Sequence, residues 1–142
     1  FGYFSNTENL DVTRRYAKAL RPGGRLLIDQ PNRETLLRHF VARRAIRGCV
    51  TENRWDGETQ RVESDRIVQR NGKTEHNRTS MRLYTPGQMR SLFERVGLDV
   101  EAMYGSHDGE LYTRSSRRLI VVGRKMESAD PAMQVAARAS GH

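Results

Sequence analysis

The amino-acid sequence predicts an α/β fold, in which buried strands alternate with helices. Two separated segments, Leu26 to Asp29 and Leu119 to Val122, contain runs of three or four apolar residues bounded by charged residues or glycine. A strand that is apolar at consecutive positions has both faces covered, as in the interior of an α/β sheet. The Pro22-Gly23-Gly24 turn before the first segment ends a helical pattern. Helix, turn and strand form half of a βαβ unit, and the strand that should precede the helix is not in this sequence.

The bulk composition fits one soluble domain. The chain has 142 residues, of which 36% are apolar and 30% charged, and this length supports a single hydrophobic core. No apolar stretch is long enough for a membrane span, and the first residues lack a signal-peptide pattern. The single cysteine, Cys49, excludes an internal disulfide and suits a reducing compartment, so we expect a cytoplasmic protein.

The formal net charge is +8, and it comes from 22 arginines and three lysines against 17 acidic residues. A nucleic-acid-binding protein can have such a balance. However, the arginines are spread over every segment and form no block with regular aromatic residues between them. A solvated basic surface is therefore favoured over a nucleic-acid interface. The hypothesis that one or two of these arginines bind a small acidic or phosphorylated substrate stays open.

Helix start signals occur at three places. Ser5, with a glutamate three residues later, forms a capping box for a helix that ends at the Pro-Gly-Gly turn. Asn32 precedes a second helix, whose apolar side we expect to extend to Val41. Thr85, followed by proline and then glutamine, precedes a third helix that ends at Gly97.

Between the second and third helices the apolar period changes to two, which indicates strands. Asp56-Gly57 and Asn71-Gly72 are strong hairpin-turn signals. Because the alternation is largely polar, we expect an antiparallel meander that serves as a cap rather than as core. Its strands are predicted at Val50 to Trp55, Arg61 to Gln69 and Glu75 to Tyr84.

Several blocks in this order resemble a known family. They are residues 1–4, 20–29 and 31–34, then 82–86, 96–98, 104–105, 108–109 and 116–122. Together they resemble the carboxy-terminal half of a class I S-adenosylmethionine-dependent methyltransferase. The resemblance implies a Rossmann-like sheet of strand order 3-2-1-4-5-7-6, with the last strand antiparallel to its neighbours. Leu26 to Asp29 would be the fifth strand, Leu98 to Tyr104 the sixth at the edge, and Leu119 to Val122 the seventh.

The resemblance also implies a division of the chain. Residues 1–125 would form the carboxy-terminal half of the domain, with an inserted cap at about 33–84, and 126–142 a flexible tail. The glycine-rich cofactor loop and the acidic residue that holds the ribose would both lie before Phe1, so the amino-terminal half is missing from this sequence. The fourth strand would be absent too, which leaves an exposed sheet edge that invites pairing. We therefore expect the missing half or a second copy of the chain, as in a dimer, to be a partner.

Ligands of open α/β sheets bind beyond the carboxyl ends of the strands, and this rule selects the candidate site residues. The resemblance implies S-adenosylmethionine as the cofactor and S-adenosylhomocysteine as its product, with Phe1, Gly2 and Tyr3 on the cofactor side. Asn32 is equally well explained as a helix cap, and Arg82 as part of a surface ion pair. The expected substrate-side residues are Phe4, Asn32, Arg33, Arg82, Tyr84, Tyr104, His107, Tyr112 and Arg117.

No acid–base pair or metal site follows from the sequence. His107 and Asp108 are adjacent, but adjacent loop residues rarely share a proton path, so a polar turn is favoured over a general base. No two of the four histidines have metal-ligand spacing, and we predict no metal. The catalytic residues therefore stay unknown at this stage.

Two main functional hypotheses result. The first is an enzyme that transfers a methyl group from S-adenosylmethionine to a small-molecule acceptor, with this chain supplying mainly the substrate side. The second is a non-catalytic methyltransferase-like remnant that acts as a partner or regulatory subunit through its exposed sheet edge. A fold hosts many roles, so the resemblance alone does not choose between them.

Overall fold

A computed structural model describes residues 1–127 and contains two antiparallel sheets and three helices in that range. The first sheet has three strands and carries two of the helices, and the second is a four-stranded meander. The helices are α1 (Asn6–Ala19), α2 (Arg33–Arg38) and α3 (Pro86–Arg95). The strands are β1 (Arg25–Pro31), β2 (Arg43–Ile46), β3 (Cys49–Asp56), β4 (Arg61–Arg70), β5 (Lys73–Arg82), β6 (Leu98–Tyr104) and β7 (Arg118–Lys125).

The three-stranded sheet has the order β1-β7-β6, with β7 antiparallel to both neighbours. Leu27 lies opposite Val122 and Ile28 opposite Val121, so the two apolar segments are adjacent strands. This confirms the expected order of the fifth, seventh and sixth strands. The last strand is inserted between the two that precede it in the chain.

The core lies on one face of this sheet, beneath α1 and α3. Ile28 and Val121 point to that face, and Met89 and Phe93 of α3 pack against them with almost no exposed surface. Gly123 in β7 is required here because a Cβ at this position would collide with the Phe93 ring. Both helices begin with the predicted capping boxes, at Ser5 and Thr85.

The strand β1 is covered on only one face in the described part of the chain. Leu27 points away from the helices and is 58% exposed, and β1 pairs with β7 alone. The expectation that both faces of this strand are covered is therefore wrong for Leu27 within residues 1–127, whereas Ile120 and Val121 of β7 are buried as expected. The exposed Leu27 lines the same cavity as the exposed side chains of Tyr3 and Tyr16.

The meander has the order β2-β3-β4-β5. Asn71-Gly72 forms the expected tight turn, with both residues at positive φ. The turn at Asp56-Gly57 is wider, because Asp56 pairs with Arg61 and leaves four residues between the strands.

The segment after Asn32 differs from the prediction. The second helix ends at Arg38 rather than extending to Val41, and an unpredicted strand, β2, follows it. Arg47 and Gly48 both have positive φ and form a two-residue turn that folds β2 back on β3. Pairing with β3 supplies hydrogen-bond partners for the backbone amides and carbonyls of β2, which in a longer helix would have bonded to each other.

None of the helices in residues 1–127 is long and apolar enough to cross a membrane. The predicted tail begins at residue 126, and all but its first two residues lie outside the described part of the chain.

Candidate functional site

Three segments that contain predicted site residues meet at one end of the three-stranded sheet. The strand β1 ends at Pro31, directly opposite Arg118, where β7 begins. The loop 105–117 before β7 therefore lies at the carboxyl end of β1, beside Asn32. Residues 1–4 reach the end of the meander, since the Arg82 amide donates a hydrogen bond of 2.8 Å to the Gly2 carbonyl.

The first four residues form a tightly held loop with exposed aromatic side chains. Gly2 has a φ of +98°, and a Cβ there would collide with the Arg82 carbonyl oxygen, so the chain needs glycine at this position. The Phe1 ring lies 5.7 Å from the Tyr84 ring, which fixes one end of the loop. Tyr3 and Phe4 are each 56% exposed and are free to contact a ligand.

Two buried amides that the sequence analysis missed hold this loop against the core. Asn9 is fully buried, and its side-chain amide donates to the Phe4 carbonyl at 3.0 Å and to the Tyr84 hydroxyl at 3.2 Å. Gln30 is 2% exposed and donates to the Tyr84 carbonyl at 2.6 Å. A polar residue on the buried face of a helix or strand is the signal that could have identified both.

Arg82 and Tyr84 come together as a stacked pair. The Arg82 guanidinium carbon lies 5.0 Å from the centre of the Tyr84 ring, a cation–π distance. The Arg82 Nε atom is buried and has no hydrogen-bond partner among residues 1–127. Arg61, which the sequence analysis did not select, donates to the Phe4 carbonyl and to the Ser80 hydroxyl.

Asn32 is buried, with 1% of its surface exposed. Its Oδ1 atom caps α2 by accepting from the Glu34 amide at 3.2 Å, and its Nδ2 atom donates to the carbonyls of Ser116 and Arg114 at 2.8 and 3.1 Å. Tyr112 donates its hydroxyl proton to the same Oδ1 at 3.1 Å. The structure thus assigns the Asn32 side chain to tying the loop 105–117 to the start of α2.

The pKa of Tyr112 is raised, first because burial disfavours the phenolate and then because the Glu34 charge repels it. The hydroxyl therefore stays protonated over the physiological range. It keeps its role as a hydrogen-bond donor to Asn32.

Three other predicted residues lie at the periphery. Arg33 stacks over the Trp55 ring at 5.2 Å and so faces the meander. Tyr104 ends β6, pairs with Ile120 and is half-buried. The Arg117 side chain is exposed, while its carbonyl accepts from the Asn32 amide at 3.0 Å. No hydrogen bond or ring contact in the described residues connects these three to residues 1–4.

His107 pairs with Asp29 of β1 and not with its neighbour Asp108. The His107 Nε2 atom lies 2.7 Å from Asp29 Oδ2, and Arg118 binds the other carboxylate oxygen. Burial would raise the pKa of Asp29, but the hydrogen bonds from His107 and Arg118 and the Arg118 charge outweigh it and lower the pKa. Asp29 is a residue that the sequence analysis missed.

A cavity of about 430 Å³ follows the unpaired edge of β1. Its walls contain residues 1–4, two side chains of α1 and residues 26–29. Asp29 is the wall residue nearest the carboxyl end of the strand, so it lies on the same side of the cavity as the loop 105–117. Among residues 1–127, no group of three potential metal ligands is present.

The fold is similar to known structures, although no protein-family model matches the sequence and no curated protein matches it. The CcbJ methyltransferase from Streptomyces caelestis matches with a TM-score of 0.73 and 17% identity, over 88% of this chain and 56% of that chain. An S-adenosylmethionine-dependent methyltransferase from Clostridium acetobutylicum matches with a TM-score of 0.71 and 10% identity, over 88% of this chain and 54% of that chain. The chain has the fold of the carboxy-terminal half of such methyltransferases.

A third methyltransferase structure matches the same share of this chain. The sugar N-methyltransferase KedS8 from Streptoalloteichus matches with a TM-score of 0.58 and 18% identity, over 88% of this chain and 51% of that chain. The chain therefore spans about half the length of the methyltransferases it resembles. In this fold β1, β7 and β6 correspond to the fifth, seventh and sixth strands of the sheet.

Proposed function

We propose that this chain takes part in S-adenosylmethionine-dependent methyl transfer to a small-molecule acceptor and supplies mainly the substrate side of the site. The observation that carries the proposal is the convergence of residues 1–4, the Arg82–Tyr84 pair and the loop 105–117 at the carboxyl end of β1. Ligands of open α/β sheets bind at that end. The similarity to KedS8, a sugar N-methyltransferase, supports a small-molecule acceptor.

Phe1, Gly2 and Tyr3 fit one end of the cofactor. Gly2 lets the loop pack against the Arg82 backbone, and the exposed Tyr3 ring offers a π-face to a positively charged sulfonium. S-adenosylmethionine, when bound, supplies a methyl group on sulfur that is already a good leaving group. The residues of this chain therefore need only bind, align the acceptor and exclude water.

The acceptor side is proposed to include Phe4, Arg82, Tyr84 and His107. Arg82 is oriented by stacking on Tyr84, and its planar guanidinium suits a substrate oxygen or carboxylate. Asn32 and Tyr112 position the loop that carries His107 rather than contacting the acceptor. Arg33, Tyr104 and Arg117 stay as proposed peripheral contacts that reach a larger acceptor.

The proposal also covers the organisation of the chain. Residues 1–125 form the carboxy-terminal half of the methyltransferase domain, with the insertion at about 33–84 as its cap. The unpaired edge of β1 takes a strand from an amino-terminal half or from a second copy of the chain. The single Cys49 supports a cytoplasmic location.

A second candidate function is a non-catalytic partner that acts through the same edge. The specific observation in its favour is the apolar surface around β1, where Leu27, Tyr3 and Tyr16 are each more than half exposed. Exposed patches of this kind mark interaction sites. In this role the chain completes a sheet in another polypeptide and binds no cofactor itself.

Calorimetric titration with S-adenosylmethionine separates the two candidates. We expect saturable heat with the product of the complete open reading frame that contains this sequence, and little heat with the 142-residue chain alone. Tyr3→Ala should weaken binding. Ile46→Ala is the control, because Ile46 is a similarly exposed large apolar side chain but lies on β2 of the meander, outside the cavity that Tyr3 lines.

Absence of binding by the complete product would contradict methyl transfer and favour the partner role. Equal weakening by Tyr3→Ala and Ile46→Ala would remove the assignment of Tyr3 to the cofactor side.

A further inference from the structure

We propose that His107 is the general base of the methyl transfer, that Asp29 positions it, and that the acceptor is an amine that arrives as its ammonium form. This inference rests on the proposed function. It starts from a hydrogen-bonded pair that joins two residues 78 positions apart in the sequence, at the end of the sheet where the other candidate residues meet.

The geometry determines which ring nitrogen of His107 carries the proton. Its Nε2 atom lies 2.7 Å from an Asp29 carboxylate oxygen, and an ionised carboxylate only accepts hydrogen bonds. The neutral imidazole therefore carries its proton on Nε2 and has a free lone pair on Nδ1. The Nδ1 atom has no hydrogen-bond partner among residues 1–127, and the His107 side chain is 71% exposed.

Asp29 is itself fixed in place. Arg118, on the neighbouring strand, binds the carboxylate oxygen that His107 leaves free. Hydrogen bonds to both partners favour the ionised form, which agrees with the lowered pKa of Asp29. The positive charge of Arg118 beside Asp29 offsets part of the negative charge of that carboxylate.

The loop that carries His107 is anchored at both ends. The Gly105 amide donates to the Glu110 carbonyl at 2.8 Å, and the Arg118 amide donates to the Gly105 carbonyl at 3.2 Å. Asn32 binds the far side of the loop through the Ser116 carbonyl at 2.8 Å. An anchored loop holds the imidazole at a set position, as general-base catalysis requires.

The dyad borders the proposed cofactor side. Asp29 lines the same cavity as Phe1, Gly2 and Tyr3, and it lies at the end of that cavity nearest the carboxyl end of β1. Asp108 and Arg117 are close in sequence, but neither forms a hydrogen bond with His107 in the described residues. Nδ1 is therefore the free basic atom of a dyad whose other member, Asp29, lines the cavity.

The chemistry of the acceptor follows from the strength of the base. An imidazole ordinarily titrates near pH ~6.5 and amines at about 8–10, whereas the pKa of a hydroxyl such as that of water lies far above both. Removing a proton from an ammonium is thus only a few pKa units uphill for an imidazole, and removing one from an aliphatic hydroxyl is far more costly. When the ammonium N–H bond breaks, its electron pair stays on nitrogen as the nucleophile. The N–CH3 bond would then form as the S–CH3 bond breaks, with the electron pair of that bond left on sulfur in S-adenosylhomocysteine. The proton bonds to His107 Nδ1 and later passes to water.

The tautomer can be tested on the 142-residue chain without any activity. Long-range 15N–1H correlation spectra of a 15N-histidine sample should show His107 with its proton on Nε2. His76 is an internal control with the opposite tautomer expected, because its Nδ1 atom, and not Nε2, lies 3.0 Å from an Asp65 carboxylate oxygen. In Asp29→Asn the side-chain amide donates instead, and the proton of His107 should move to Nδ1 while the His76 signals stay unchanged. Identical His107 signals in the two proteins would overturn the dyad.

The catalytic role is tested with the product of the complete open reading frame, S-adenosylmethionine and a set of primary amines. His107→Gln keeps a donor at the Nε2 position but has no basic nitrogen. We expect kcat at neutral pH to fall on the order of 10²–10⁴-fold, with the Kd for S-adenosylmethionine unchanged. The loss should shrink as the pH rises past the pKa of the amine, because free amine then needs no base. His76→Gln is the matched control and should keep full activity.

The outcomes separate the two proposals. An active wild-type protein whose His107→Gln variant keeps its kcat, or loses it equally at every pH, overturns the general base alone. A wild-type protein that binds no S-adenosylmethionine overturns the proposed function and this inference with it.

Discussion

Replacing Asn32 by alanine should destabilise the chain by an amount that can be worked out from its contacts. The change removes the N-cap of α2, which costs about 0.5–2 kcal/mol. It also removes the two donor bonds to the Ser116 and Arg114 carbonyls, each contributing about 1 kcal/mol. We therefore expect a loss of about 2–4 kcal/mol in the free energy of unfolding, measured by urea denaturation followed by circular dichroism.

A matched variant distinguishes this loss from a general effect of removing an asparagine. Asn77→Ala removes an exposed side chain from β5 and should change the free energy of unfolding by less than about 0.5 kcal/mol. If Asn32→Ala were equally mild, Asn32 would not be the residue that ties the loop 105–117 to α2. The loop that carries His107 would then lack one of its proposed anchors.

Three further predictions concern single positions. Gly123→Ala should cost about 1–3 kcal/mol in urea denaturation, since the new methyl group overpacks the core against Phe93. Gly2→Ala should cost about 1–3 kcal/mol because of its positive φ. Gly87→Ala, with open space around its Cβ, is the control for both and should be neutral or stabilising; similar losses in all three variants would contradict the packing argument. The pKa of Asp29 is lower in the folded protein than the unfolded value of about 3.9. Its ion pairs therefore stabilise the fold fully above the unfolded pKa, and this contribution is lost as the pH falls through the folded pKa. Asp29→Asn should reduce the dependence of the free energy of unfolding on pH over this acidic range. An unchanged dependence would refute the pairing of Asp29 with His107 and Arg118.

The sequence contains enough information to predict the three-stranded sheet, and the reason is physical. Residues 119–122 are apolar on both faces, which is typical of an interior strand. In β7, Leu119, Ile120 and Val121 are buried and Val122 is half-buried. The capping boxes at Ser5 and Thr85 satisfy helix amides locally, so their signal does not depend on the rest of the fold. Prediction succeeded where a short stretch of sequence determines its own environment.

Prediction failed where distant residues decide the structure. The segment around Val41 has helical spacing, but the hairpin through Arg47 and Gly48 makes β2 a strand paired with β3. The Asp29–His107 pair joins residues 78 positions apart in the chain, so no spacing in the sequence indicated it. Asn9 was overlooked because its two acceptors lie in other segments of the chain.

The most direct test of the account is transfer of a labelled methyl group. The product of the complete open reading frame is incubated with methyl-labelled S-adenosylmethionine and a small-molecule extract of the source organism, and the label is followed by chromatography. Label in an amine-containing small molecule, reduced strongly by His107→Gln, is the predicted result. A protein that binds the cofactor but transfers no label to any small molecule would contradict the proposal that this chain forms the substrate side of a methyltransferase.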